Sequence, residues 1–233
     1  RSGRRKIVIG VFLGSVAVGC YSPGYSLGNI ILMFLTPFAV LLPAVLPEYY
    51  EKGDMDKVDA FLTYSLKYYL LITIPATVGL SLLSKPVLYI LTTTIIADSG
   101  YLVTPMVALG AMFMGIYGIV NNIIILEKKT MILSHIWITV AILNIVLNIF
   151  AVPYIGIYGA GITTLICYFF AFIVTLIYSK RYARLPFDYK SIAKIIIASV
   201  VMGVFVGIAN PTGIINIAIV VLGAVVIYFA VLF

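Results

Sequence analysis

Long stretches without a charged residue are the feature that most constrains the fold of this 233-residue chain. The three longest hold 41, 50 and 39 residues, at positions 7–47, 130–179 and 195–233. A membrane-spanning helix needs about 20 mainly apolar residues, so each stretch is long enough for two spans. The chain is 63% apolar and 10% charged, whereas a soluble domain is roughly 45–50% apolar and about 25% charged. We therefore expect an integral membrane protein.

Turn-forming residues divide these stretches into separate helices. The predicted dividing turns are Tyr21–Gly24, Pro153–Gly159 and Asn210–Gly213. The shorter stretches 68–84 and 99–126 each supply one further span, and the helix of the first is expected to begin near Asp56. The resulting prediction is an all-α, polytopic transmembrane helix bundle with eight spans.

The distribution of basic residues predicts the orientation of the bundle. Fourteen of the 15 Lys and Arg residues, all except Lys85, fall on alternate connections. Basic residues are retained on the cytoplasmic side of membranes. We therefore expect a multi-pass protein of the cell membrane with both termini in the cytoplasm. The net charge of +7 is explained by this topology, so we expect the lipid bilayer as a partner and no nucleic acid.

The two ends of the chain predict a longer protein. The chain opens with Arg1-Ser2-Gly3-Arg4, without an initiator methionine or a signal-peptide pattern, and it stops at Phe233 inside an apolar run. We expect both ends to be cuts.

Ionisable groups at bilayer depth usually mark transport or catalysis, and this chain has few. No Asp or Glu falls near the centre of a predicted span, and the one histidine, His135, lies beside Trp137 in a typical interfacial position. The sequence offers no set of nucleophile, base and acid, and no metal-ligand spacing. We therefore expect no catalytic residue, no cofactor and no metal site, and a protein that is not an enzyme.

Lys67 is the cation set furthest inside a predicted helix, among Tyr64, Tyr68 and Tyr69. Two interpretations remain open. The lysine extends along its helix to the membrane interface, or its ammonium faces a cavity and contacts a phosphate.

Three further groups of polar residues lie within the spans. Tyr21, Tyr25 and Asn29 gather near the first turn, where ring faces and amide donors suit a sugar. Asn121 and Asn122 are adjacent, and Asn144 and Asn148 are four apart on one helix face. These amides either bond between helices or line a hydrated cavity. Prolines, including Pro75 and Pro105, are expected to interrupt or bend their helices, as in many transporters.

Two stretches of the sequence resemble a known family. The first is Asn144-Ile145-Val146-Leu147-Asn148 followed by Pro153, Gly156 and Gly159–Thr164. The second runs from Ile7-Val8-Ile9-Gly10 through Gly19-Cys20-Tyr21 to Pro47. Both are similar to polysaccharide-biosynthesis flippases of the multidrug, oligosaccharidyl-lipid and polysaccharide exporter superfamily. Arg5-Lys6 stands where many members have an Asp, so a role for that acid does not carry over.

The resemblance implies a fold of two six-helix lobes and two appended helices around a cavity of alternating access. Residues 1–182 would be the second lobe and 183–233 the appended pair, with the N-terminal lobe absent from this chain. The implied function is translocation of a polyprenyl-phosphate-linked oligosaccharide from the cytoplasmic to the outer leaflet. The implied partners are this lipid-linked glycan and the other lobe. The candidate substrate-binding residues are Tyr21, Tyr25, Asn29, Lys67, Asn121 and Asn122.

Three other functions are weighed against this one. A cation-coupled multidrug exporter of the same superfamily is the alternative that the resemblance leaves open. A membrane-embedded transferase is disfavoured because acid and histidine sets are missing. A purely structural role predicts that replacing cavity-lining polar residues leaves transport intact.

Overall fold

The computed structural model describes residues 17–182 and 188–232, and these residues form helices joined by short turns. Helix α1 covers residues 17–29 and leads through the 3-10 segment Ile30–Leu35 into α2. The remaining bounds are α2 Thr36–Glu51, α3 Met55–Leu91, α4 Thr94–Gly100, α5 Val103–Leu126, α6 Thr130–Ile155, α7 Ile157–Ser179, α8 Tyr189–Ala209 and α9 Ile214–Leu232. No strand occurs within these residues.

Local chemistry explains where several helices begin and end. The Asp54 side chain accepts a hydrogen bond from the Lys57 backbone N–H at 3.2 Å and so caps the start of α3. The Asp188 side chain caps α8 in the same way through the Ser191 N–H at 3.1 Å. Gly156, with φ of +67°, separates α6 from α7, because glycine adopts this backbone conformation without a steric cost.

Seven helical runs in the described residues are long and apolar enough to cross a bilayer, the first being the continuous run Ala17–Glu51. The helical bundle and seven of the eight predicted spans are therefore confirmed. The other predicted span, the first, would begin at Ile7 and lies for the most part outside the described residues.

The runs alternate in direction, which gives the bundle two different ends. One end, here called the basic end, holds every described Lys and Arg except Lys85. Tyr50 donates a hydrogen bond to Glu127 there at 3.0 Å, and Lys129 donates one to Tyr182 at 3.1 Å. At the opposite end, Tyr158 donates a hydrogen bond to the Ser99 carbonyl at 2.9 Å. The predicted charge asymmetry is thus confirmed for the described residues.

Helix α5 is the centre of the bundle. It packs against α7, α3 and the run Ala17–Glu51. Its buried side chains Ile119, Val120 and Ile123 form one apolar cluster with leucines of α2 and α3. Two glycines permit these close contacts. The Tyr69 hydroxyl fills the space beside Gly115, and the Leu35 side chain fills the space beside Gly118.

Helices α8 and α9 pack on the outer side of α3. Met202, Val206 and Tyr228 form an apolar cluster with Leu83 of α3. The Tyr228 hydroxyl donates a hydrogen bond across the interface to the Leu71 carbonyl at 2.8 Å. The division at residue 183 between a lobe and an appended pair stays a prediction.

The predicted turn at Tyr21–Gly24 is wrong, because these residues lie inside α1. The glycine has a packing role instead. A Cβ on Gly24 would overlap the carbonyl oxygen of Gly100, so two backbones meet at van der Waals contact there. The Ser22 hydroxyl donates to the Val18 carbonyl at 2.7 Å and supports the same helical turn.

Three other predicted boundaries need correction. The turn predicted over Pro153–Gly159 is confined to Gly156, because Pro153 lies inside α6 and Gly159 inside α7. Helix α3 does not end near Ser84 but continues to Leu91, because a charged residue such as Lys85 limits the apolar span without ending the helix. The Lys85 ammonium lies 3.0 Å from the Asp98 carboxylate. Pro105 does not interrupt a helix. It occupies the first turn of α5, where a backbone N–H has no intrahelical partner to lose. Pro75 does lie inside α3, as expected.

Candidate functional site

The two predicted tyrosines of α1 lie at the end of the bundle opposite the basic end. Tyr21 is 1% exposed and packs against Val103, Val107 and Ala160. Tyr25, one helical turn later, is partly buried, and its ring centroid lies 5.5 Å from that of Tyr21. Tyr21 therefore belongs to the packed interior, whereas Tyr25 keeps an accessible edge.

Asn29 and Asn121 lie on the same side of the bundle. Asn29 is partly buried and immediately precedes the 3-10 segment, which packs on α5. Leu35 at the end of that segment contacts Gly118 of α5. Asn121 is three residues after Gly118 and therefore on the same helix face. Both amides thus lie along the contact between the run Ala17–Glu51 and α5, at different heights. Gly28, next to Asn29, packs against Val107 and Ala108, and Asn121 is 13 residues further along α5, roughly 20 Å along its axis.

Asn122 has a different role from its neighbour. Its side chain is 6% exposed, and its amide nitrogen donates to the Gly118 and Ile119 carbonyl oxygens, both at 3.0 Å. These bonds satisfy the amide donors within one helix, as a polar group buried in hydrocarbon requires. Asn121, only partly buried, is the better placed of the two for contact with a ligand.

Lys67 is paired with a carboxylate. It lies 12 residues after the start of α3, roughly 18 Å along the helix axis. Its ammonium is 3.0 Å from Asp188 Oδ2 at the start of α8. Asp188 accepts hydrogen bonds from the Ser191 hydroxyl, the Ser191 backbone N–H and the Lys67 ammonium. These bonds hold the pKa of the Asp188 carboxyl well below its usual range. Lys67 therefore faces the start of α8.

Asn144 and Asn148 are the amides of the sequence motif in α6. The Asn144 side chain donates to the Cys167 sulfur of α7 at 3.5 Å, and the Asn148 side chain donates to the Asn144 carbonyl at 2.7 Å. Asn148 is 2% exposed. The expected bond between helices is therefore present at Asn144, while Asn148 bonds within its own helix.

The six predicted binding residues do not form one cluster. Tyr21 and Asn122 are buried in packing contacts, and Lys67 is engaged with α8. Tyr21 packs against Val103, and Asn121 lies 18 residues further along the same helix, roughly 27 Å away along its axis. Tyr25, Asn29 and Asn121 remain as a discontinuous polar strip along one side.

A polar cluster at the end opposite the basic end was not singled out from the sequence. Lys85 lies 3.0 Å from Asp98 and also 5.2 Å from the ring centroid of Tyr101. Tyr89 donates a hydrogen bond to the same carboxylate. The bonds from Tyr89 and Lys85 lower the pKa of Asp98. The available signal was that Lys85 is the one basic residue on its side and Asp98 the one acid.

The described residues offer hydrogen-bond donors and apolar surface rather than reactive groups. They contain no group of three or more His, Cys, Asp or Glu side chains able to hold a metal ion. His135 Nδ1 lies 2.6 Å from the Met131 carbonyl oxygen of its own helix. Chemically, the strip of Tyr25, Asn29 and Asn121 can exchange hydrogen bonds with a polar ligand.

More than half of the chain matches the model of a known protein family. The family model described as MatE matches residues 6–150, which is more than half of the sequence.

Two known proteins are similar over most of the chain. The "Probable low-salt glycan biosynthesis flippase Agl15" of Haloferax volcanii is 20% identical over 208 residues, which cover 89% of this chain and 44% of that protein. The solved structure titled "Lipid II flippase MurJ, inward closed conformation" superposes with a TM-score of 0.75 at 22% identity, covering 97% of this chain and 50% of that one. The chain thus spans about half the length of these relatives, and the second likeness establishes a shared fold.

Proposed function

Because the chain belongs to the MatE family, we propose that it forms one half of a membrane flippase for a polyprenyl-phosphate-linked oligosaccharide. The substrate would move from the cytoplasmic to the outer leaflet by alternating access. The observation that carries the proposal is the match of nearly the whole chain to half of a lipid II flippase structure. The similarity to a glycan flippase supports the same substrate class.

The polar strip suits the physical problem that such a substrate presents. A sugar hydroxyl moved from water into hydrocarbon without a partner costs roughly 2–7 kcal/mol. Amide and phenol groups of Tyr25, Asn29 and Asn121 would supply partners for the head group during the crossing. The polyprenyl tail would remain in lipid throughout. No covalent bond changes, so the function needs no catalytic residue.

The other half of the transporter would cover the side that carries this strip. One face of the run Ala17–Glu51 is exposed, including Ile30, Met33 and Val40, which are 41%, 69% and 71% exposed. Ser26 and Pro37 continue this face at helical spacing. A cavity between two halves would then have Asn29 and Asn121 on the wall contributed by this chain.

We also propose that Lys67 contacts the substrate phosphate, which requires the lysine to leave its present partner. Its ammonium is held by Asp188, so contact with a substrate phosphate would require exchange of one anion for another. The basic end, where this pair lies, is the proposed cytoplasmic side.

The proposal is tested by replacing the strip residues in the longest protein that contains this chain and measuring glycan export. Each lost hydrogen bond is worth about 0.5–1.5 kcal/mol, so Asn29→Ala and Asn121→Ala should each reduce export roughly 2- to 10-fold. Asn216→Ala is the matched control. This amide lies exposed on α9 and donates to the Thr212 carbonyl at 2.9 Å. Normal export by both variants at normal membrane levels would contradict the proposal that Asn29 and Asn121 line the substrate cavity.

A further inference from the structure

A groove with a volume of about 200 Å³ lies between α6 and α7, in the half of the bundle nearest the basic end. Its walls are formed by Ile132 and Ile136 on α6 and by Phe170 and Val174 on α7. The groove opens between α6 and α7, whereas Tyr25, Asn29 and Asn121 lie on the run Ala17–Glu51 and on α5, and no step of the proposed transport uses it.

Two polar groups of the lining are hydrogen-bonded to the backbone of their own helix. His135 Nδ1 lies 2.6 Å from the Met131 carbonyl oxygen, and the Thr139 hydroxyl donates to the His135 carbonyl at 2.9 Å. The interior therefore presents mainly methyl, methylene and ring surface. Pockets for drug-sized molecules measure roughly 300–1,000 Å³, so this narrower groove fits a single hydrocarbon chain better than a saccharide.

The depth of the groove corresponds to one leaflet of a bilayer. Ile132 is two residues after the start of α6, and Tyr178 is one residue before the end of α7. Thr139, the lining residue of α6 furthest from the basic end, is roughly 14 Å along the axis from the start of that helix. The hydrocarbon core of a bilayer is about 30 Å thick. The groove therefore runs from the membrane interface nearly to the midplane.

The mouth of the groove is positively charged. The Arg181 guanidinium lies 5.4 Å from the ring centroid of Tyr178, which itself lines the groove. Arg181 forms no salt bridge with a carboxylate of the described residues. Lys128 and Lys180 are exposed at the ends of the two helices. Glu127, the acid closest in sequence to the mouth on α6, accepts a hydrogen bond from Tyr50.

We propose that this groove binds one acyl chain of an anionic glycerophospholipid from the leaflet at the basic end. The lipid phosphate contacts Arg181, whose guanidinium presents paired donors to phosphate oxygens. Charge complementarity between a cationic mouth and an anionic head group selects this lipid over a zwitterionic one.

Native mass spectrometry of the longest protein that contains this chain, purified in detergent, tests the site, with phosphatidylglycerol and phosphatidylcholine of the same acyl composition as probes. The wild-type chain should retain one phosphatidylglycerol in preference to phosphatidylcholine. Arg181→Gln removes a charge-assisted contact and should reduce retention about tenfold. Val174→Phe fills the groove and should reduce retention of the acyl chain to a similar extent.

Matched controls separate the site from a general effect on the membrane surface. Lys194→Gln removes an exposed charge on α8, and Val200→Phe adds a ring to an exposed position of the same helix. Neither should change lipid retention. Because Arg181 is exposed, Arg181→Gln tests the site even if Val174→Phe perturbs folding.

Equal retention of the two phospholipids by the wild-type chain would overturn the proposal. Unchanged phosphatidylglycerol retention in Arg181→Gln would also overturn it. Displacement of phosphatidylglycerol by an equimolar polyprenyl phosphate would overturn the assignment of a glycerophospholipid as the occupant. These outcomes do not depend on transport, so they leave the proposed flippase function to its own test.

Discussion

The Lys67 ammonium lies 3.0 Å from the carboxylate of Asp188, a residue 121 positions later in the chain. This contact joins α3, 12 residues after its start, to the residue that caps α8. Asp188 also accepts hydrogen bonds from the Ser191 backbone N–H and hydroxyl, so one carboxylate both caps α8 and fixes it against α3. The pair is therefore a structural connection between the helices of the predicted lobe and the last two helices.

A double-mutant cycle tests this connection. Lys67→Met removes the cation, and Asp188→Asn removes the anion while keeping a residue that caps helices well. Each single variant should lower the thermal midpoint by a few degrees. The double variant should be no less stable than either single variant, because the interaction is lost only once. Additive losses would show that the two charges act independently.

The same variants separate the structural role of Lys67 from phosphate binding. If Lys67 only pairs with Asp188, Lys67→Gln and Asp188→Asn should alter glycan export equally. If Lys67 contacts the substrate phosphate, Lys67→Gln should reduce export much more than Asp188→Asn, and Lys67→Arg should keep partial function. Membrane levels of each variant are measured alongside.

The pH dependence of stability follows from the lowered pKa of Asp188. A carboxyl whose pKa is lowered by folding stabilises the native state above its unfolded pKa, and this contribution is lost as pH falls through the folded pKa. The difference in thermal midpoint between wild type and Asp188→Asn should stay constant from pH 7 to pH 5. This difference in thermal midpoint should become smaller only below about pH 4, where the carboxyl of the unfolded chain becomes protonated. A difference that disappears between pH 7 and pH 5 would contradict the assignment, and Glu51→Gln serves as an exposed control.

Gly115 is predicted to be sensitive to the addition of a single methyl group. A Cβ at this position would overlap the hydroxyl of Tyr69, whose side chain is fully buried. Overpacking of this kind costs about 1–3 kcal/mol. Gly115→Ala should lower thermal stability in detergent, whereas Gly207→Ala, where a Cβ meets nothing within 4 Å, should not. Equal midpoints for the two variants would contradict this packing.

The arrangement of helices could be predicted from the sequence because it depends on long-range averages. Uncharged length predicted the spans, and the basic residues predicted their alternation. Both signals accumulate over many residues, so single errors matter little. The turn at Asn210–Gly213 was also predicted correctly, since Asn210 and Gly213 have positive φ values of 36° and 82°.

Individual roles could not be predicted where one residue type has two uses. Gly24 was interpreted as a turn residue, but glycine also permits close approach of backbones, and only the position of Gly100 distinguishes the two. Asn121 and Asn122 are equivalent in the sequence, yet the helix rotation of about 100° between neighbours directs one toward the edge and the other into the interior. The partner of Lys67 depends on packing between distant segments.

Cysteine labelling with a membrane-impermeant thiol reagent tests the proposed orientation. Cysteines at Ile155 and Thr212 should react from outside intact cells, and cysteines at Gly53 and Thr130 should not, because the basic end is proposed to be cytoplasmic. Gly24 is unsuitable as a labelling site because it is buried against Gly100. The native Cys20 and Cys167 are buried and provide the background. Reversed labelling at both pairs of sites would contradict the proposed orientation and place the basic end outside the cell.

The most direct test of the flippase proposal is a translocation assay in proteoliposomes. The longest protein that contains this chain is reconstituted with a fluorescent polyprenyl-diphosphate oligosaccharide, and an impermeant reagent measures the substrate exposed in each leaflet. The account predicts that translocation depends on the protein and falls roughly 2- to 10-fold in Asn121→Ala, while Asn216→Ala matches wild type. Translocation at the rate of protein-free vesicles by the correctly folded wild-type protein would contradict the account.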